Sequence, residues 1–155
     1  IHNQLDILHT AALFTLICDS VGYPPALGFD HRIDYHALAR LYLSQGESET
    51  ARAILTDLLA QNIVSGDIAC DLGLINKKEG DLEASESCFA LAAALDHPTG
   101  TLEYAKLLEK RREFDSALQQ ARKLLDWHLA RPRTNARQVE ELEKRVLRLR
   151  RKLGI

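Results

Sequence analysis

The run Tyr35-His36-Ala37-Leu38-Ala39-Arg40-Leu41-Tyr42-Leu43-Ser44-Gln45-Gly46 recurs in pattern 34 residues later as Ala69-Cys70-Asp71-Leu72-Gly73-Leu74-Ile75-Asn76-Lys77-Lys78-Glu79-Gly80. A leucine followed by a small residue, the position three residues on, and the glycine all coincide. Downstream, Ala51 and Leu55 are matched by Ser85 and Phe89. Weaker marks follow at Ala105, Leu108, Ala117, Ala121 and Leu124, offset by 32 residues and without the glycine. A period of this length constrains the fold more than any single motif, because one such unit cannot bury its apolar face alone and must stack on a neighbour. The alternative is an unrelated helical bundle with chance periodicity.

Each mark has a physical role. The leucine–small pair lets the first helix of a unit approach the second closely. Gly46 and Gly80 supply the left-handed conformation that closes a helix before a tight turn. Ala51 and its equivalents stand where the two helices cross, so a larger side chain would force them apart. The leucine or phenylalanine four residues later fills space against the next unit. The pattern predicts helices over 34–45, 48–61, 67–79, 82–95, 99–111 and 114–130, grouped into repeats at about 34–64, 66–98 and 99–131. Pro98 and Gly100 mark a unit boundary, and Pro132 follows the last helix after Trp127 and Leu129. A final helix over about 135–153, in a terminal segment 135–155, spaces Val139, Leu142, Val146, Leu149 and Leu153 alternately by three and four. This seam is expected to cap the end of the stack; a short coiled coil is the competing reading. Early Glu140, Glu141 and Glu143 and late Arg148, Arg150, Arg151 and Lys152 suit the helix dipole.

These residues and their period resemble the tetratricopeptide repeat family over about residues 34–130. The resemblance implies an all-α, right-handed solenoid of helical hairpins that binds partners rather than catalysing a reaction. Asn76, where the family prefers tyrosine, and the irregular third unit depart from its pattern.

Residues 1–19 carry none of the repeat marks. Leu5, Leu8, Ala12, Leu13, Leu16 and Ile17 fall at helical spacing, and a turn-rich linker, 20–33, follows. His2-Asn3-Gln4-Leu5-Asp6 resembles the last active-site helix of ribonuclease H-like 3′–5′ exonucleases of the DEDD superfamily. With the linker, the repeats and the basic last helix, it resembles a bacterial family that joins such a nuclease-like domain to a C-terminal repeat region. That resemblance implies that Asp6 binds a divalent metal (Mg or Mn) and that His2, four residues earlier on the same helical face, orients or activates the attacking water. The other reading is that Asn3 caps a helix, Asp6 favours its first turn and His2 is solvated. A zinc site from His2, Asp6 and His9 is a further alternative. The other carboxylates of a two-metal centre are missing, so the chain alone is expected to be inactive. Because it begins at Ile1 and contains no methionine, it is expected to be part of a longer protein.

Charge points to a binding role. The net charge is −2, but residues 1–99 carry 14 acidic and 5 basic side chains, whereas 100–155 carry 8 acidic and 15 basic. In repeats of this kind the first helix of each pair lines the concave surface. Outside the packed positions these helices offer His36, Arg40, Lys77, Lys78, Lys106 and Lys110, whereas second helices hold Asp57, Asp81, Glu83 and Glu86. The expected groove is cationic and takes a protein or acidic peptide, or a nucleic-acid backbone; ordinary solvation of these charges is the alternative for each. Arg40 and Asp71 stand where a clamp for a C-terminal carboxylate would place asparagines, which disfavours chaperone tails. The three cysteines, Cys18, Cys70 and Cys88, include no CxxC pair, so a reducing, cytoplasmic setting is expected. No apolar run is long enough for a membrane span. His31, His97 and His128 are expected in turns, caps or packing. The competing functional readings are a nucleic-acid-binding repeat in its own right and a free-standing scaffold.

Overall fold

The computed structural model describes residues 34–132 and 135–155, and the described residues contain seven α-helices and no strand. The chain divides into two compact units, the first ending at Gln61 and the second running from Asn62 to Ile155.

In the first unit, α1 (Tyr35–Ser44) begins at Asp34, whose carboxylate accepts the Ala37 N–H at 3.0 Å. It packs on α2 (Ser48–Ala60). Tyr35, Leu38, Ala39 and Tyr42 of α1 and Ala51, Ile54, Leu55 and Leu58 of α2 are buried. These are the apolar positions spaced by three and four that a half-buried helix requires.

The second unit contains α3 (Gly66–Glu79), α4 (Leu82–Ala94), α5 (Pro98–Lys110), α6 (Phe114–Leu129) and α7 (Ala136–Leu153). Each packs on the next, and α3 also touches α5. Ser65, Asp81 and Asn135 cap helix starts through side-chain oxygens. At α5 the cap is His97, whose Nδ1 accepts the Gly100 N–H at 3.1 Å, while Pro98 occupies the first turn. Helix limits fall within one residue of those predicted from the repeat.

The recurring glycines fall at helix ends. At Gly80 the backbone turns left-handed (φ 88°), the Gly80 N–H reaches Lys77 O at 3.3 Å, and the Asp81 N–H reaches Asn76 O at 3.0 Å. Paired bonds of this kind satisfy carbonyls at a helix end. Gly46 forms the same pair at the end of α1. The third repeat, which lacks the glycine, makes the same turn with Arg112 at φ 64°, bonding Arg112 N–H to Glu109 O and Glu113 N–H to Leu108 O. Loss of the glycine therefore leaves the turn geometry in place.

The close crossing of α3 and α4 accounts for the small residues. A Cβ at Gly73 would lie 2.7 Å from the Phe89 ring, and the Ser85 hydroxyl donates to Gly73 O at 2.9 Å. Phe89 is fully buried with Ala69, Cys70 and Ala92, and Tyr104 and Leu107 of α5 close the cluster from the next hairpin. Asn76, where a tyrosine was the family expectation, is buried and donates to Cys88 Sγ at 3.7 Å. Burial pushes the Cys88 thiol pKa up and the Asp81 charge adds to this, with the Asn76 bond opposing them.

On α7, Leu142 and Leu149 are buried, and Val146, Leu149 and Leu153 pack with Leu108, Ala117, Leu118 and Ala121 of α5 and α6. The seam is thus occupied within the chain, which leaves it unavailable to a coiled-coil partner. Tyr104 touches both apolar clusters of this unit.

Candidate functional site

The basic residues singled out on first helices separate into three environments. His36 is half-buried and Arg40 exposed on α1, in the first unit. Lys77 and Lys106 belong to the second unit, where α3 and α5 lie side by side. Between them stands Glu103, with only 10% of its side chain exposed, paired with Lys77 and, at 2.6 Å, with Lys106. Lys78 and Lys110 are exposed and have no ion-pair partner among the described residues; each lies in the last turn of its helix, where a cation also suits the dipole.

These first-helix positions are therefore not simply cationic. Burial of Glu103 raises its carboxyl pKa, but hydrogen bonds from Lys106 and Lys77, reinforced by their charges, outweigh this and hold it below the ordinary carboxylate value. One carboxylate serves two ammonium groups, so the cluster keeps one net positive charge. A second cluster repeats the arrangement. Glu109, 12% exposed, pairs with Arg145 and, at 2.8 Å, with Arg148, fastening α7 to α5.

A groove of about 490 Å³ lies between the start of α5, the end of α6 and the start of α7. Leu102, Leu124, Trp127 and Leu142 form its apolar lining, and Lys106, Arg131 and Arg145 its basic one. The Arg131 guanidinium sits 3.3 Å from the Trp127 ring centroid and donates to Trp127 O at 2.9 Å, while His128 meets the same ring edge-on at 4.9 Å.

In the sequence Trp127 stands out only as a helix-end mark, and Glu103 and Arg145 belong to no motif. Glu103 and Lys106 stand three apart and Trp127 and Arg131 four apart, spacings that meet on a helix surface and could have drawn attention to both. No local signal joins Glu109 to Arg145, 36 residues away. Among the acidic second-helix residues, Asp81 caps α4 and Glu86 holds Arg111 at 2.5 Å, whereas Asp57 and Glu83 are exposed.

His2, Asp6 and His9 lie outside the described residues, as does His31. Among the described residues no three His, Cys, Asp or Glu side chains gather as a metal site would require, and no helix is long and apolar enough to cross a membrane. No protein-family model matches the chain, and comparison with curated proteins gives no match.

Proposed function

We propose that the chain is a tetratricopeptide-like interaction module, a right-handed solenoid closed by α7, that binds an acidic protein segment on the face formed by α3 and α5. The observation that carries this reading is the basic set Lys77, Lys78, Lys106 and Lys110 on two helices that pack side by side, with two of the four held in place by Glu103. Ordered cations lose less side-chain freedom on meeting an anion, so part of the binding cost is met in the free protein. The module is the C-terminal part of a ribonuclease H-like exonuclease-family protein and positions a partner or nucleic-acid substrate for it. That link rests on the His2–Asp6 motif.

A second reading, direct binding of a nucleic-acid backbone, is favoured by Arg150 and Arg151. Both are exposed at the end of α7 with no ion-pair partner among the described residues.

Fluorescence anisotropy separates the two. A labelled poly-glutamate peptide and a labelled single-stranded RNA are titrated with wild-type protein and with Lys78→Glu/Lys110→Glu. The module reading expects peptide binding that falls about tenfold in the variant, equal to ~1.4 kcal/mol. Tight RNA binding that drops steeply with salt, with no response to the peptide, would replace it with the nucleic-acid reading.

A further inference from the structure

We infer that the Trp127 groove is an anchor site for an aromatic side chain flanked by carboxylates in an acidic peptide segment. The inference rests on the module reading above and gives it a specificity element.

The groove joins the two features such a ligand needs. Its apolar part is formed by Leu102, Leu124, Trp127 and Leu142, and the groove as a whole, about 490 Å³, has the size of clefts that accept a ligand of several atoms. Its charged lining is mostly basic, with Lys106, Arg131 and Arg145 facing a single carboxylate, Glu141. Lys106 and Arg145 are each drawn against a mostly buried carboxylate, Glu103 or Glu109, that also serves a second cation. Both clusters consequently retain positive charge. Because the carboxylates lie deep, excess potential is directed outward, and the cations are ordered before any ligand arrives. Arg131 adds a third charge, with its guanidinium laid over the indole of Trp127. The opposing Glu141 is paired with Arg137 at 3.3 Å. An aromatic ring entering over Leu102 and Leu142 would extend this stack, and carboxylates beside it would meet Lys106, Arg131 and Arg145. A basic peptide would meet like charges at the same rim.

Position along the fold supports continuity with the face of α3 and α5. Lys106 belongs at once to the Glu103 cluster and to the groove lining. A peptide running past Lys77 and Lys106 would reach the groove without leaving the second unit.

The test uses the whole chain and three acetylated peptides: phenylalanine among glutamates, phenylalanine among lysines, and glycine among glutamates. Trp127 is the only tryptophan, so its fluorescence reports the groove directly. The glutamate peptide with phenylalanine should perturb that emission and bind about tenfold more tightly than its glycine counterpart. Trp127→Ala should erase this ratio, read by calorimetry, and Arg131→Glu should weaken the phenylalanine–glutamate peptide about tenfold while Arg131→Lys restores most of the affinity. Arg131 is exposed, so its variants test the site even if Trp127→Ala folds poorly. Equal binding of the glycine or lysine peptide overturns the inference, as does an unchanged ratio in both variants, or displacement of the peptide by single-stranded RNA with the same Trp127 response. Lys78→Glu/Lys110→Glu separates the two readings. If affinity is unchanged there while the phenylalanine preference depends on Trp127, the face is wrong and the groove stands. If affinity falls there but no phenylalanine preference exists, the groove alone fails.

Discussion

Replacing Gly73 by alanine sets two effects of opposite sign against each other. Gly73 is an interior residue of α3, where alanine is favoured by about 0.8–1 kcal/mol on helix propensity. Against this, the new Cβ would lie 2.7 Å from two carbons of the Phe89 ring and 3.1 Å from a third, whereas comfortable carbon contacts are about 3.5–4.0 Å. Phe89 is fully buried against Ala69, Cys70 and Ala92 and has no open side into which to retreat. Overpacking of this kind costs roughly 1–3 kcal/mol. Separating the helices would also stretch the Ser85–Gly73 hydrogen bond, worth about 0.5–1.5 kcal/mol. The net expectation is a loss of roughly 1–3 kcal/mol. Urea unfolding followed by circular dichroism measures it, provided the denaturant slope is unchanged. The relieving change is already present elsewhere in the repeat, where Ala39 accompanies Leu55. Gly73→Ala with Phe89→Leu should therefore be more stable than the sum of the single changes by about 1 kcal/mol or more. A Gly73→Ala protein stabilised by about 1 kcal/mol, or strict additivity with Phe89→Leu, would refute the close crossing.

Individual contacts and turns set four further outcomes. Leu149 is fully buried against α5 and α6, so Leu149→Ala should cost roughly 2–5 kcal/mol in urea unfolding monitored by Trp127 emission. Arg112 holds a left-handed conformation without being glycine, and Arg112→Gly should raise stability by about 0.5–1 kcal/mol once the extra unfolded-state freedom of glycine is counted, while Gly80→Ala should lower it by about 1 kcal/mol. For Glu103 the folded-state pKa is depressed, so its contribution is fully present above the unfolded value of about 4.3 and is lost as pH falls through the lower folded value. Wild-type stability should therefore drop more steeply than that of Glu103→Gln on acidification below about pH 5, and parallel curves would contradict the Lys77–Glu103–Lys106 geometry.

The helices were legible because their signals are local. Asp34, Ser65, Asp81 and Asn135 act as caps through the first turn of their own helices, and buried positions repeat with the helical period. The third hairpin was legible in register but not in mechanism. Arg112 was not a recognisable turn residue, yet the carbonyls of Leu108 and Glu109 demand the same closure that Gly80 supplies. The basic residues of α3 and α5 were legible as charges on helices. Their state was not, because burial of Glu103 depends on the packing of α3 beside α5, and its Lys77 partner is 26 residues away. The groove at Trp127 was illegible for a related reason: it exists only where three helices meet, and no period in the sequence describes that meeting.

The central functional claim is that binding takes place on the face of α3 and α5 and continues into the Trp127 groove. Its most direct test is a ¹H–¹⁵N titration of the whole chain with the phenylalanine–glutamate peptide. Shifts should concentrate at Lys77, Lys78, Lys106 and Lys110, at the Trp127 indole N–H and at Arg131. Shifts centred instead on Asp57, Glu83 and Glu86 of the second helices, or a spectrum that the peptide leaves unchanged, would contradict that claim.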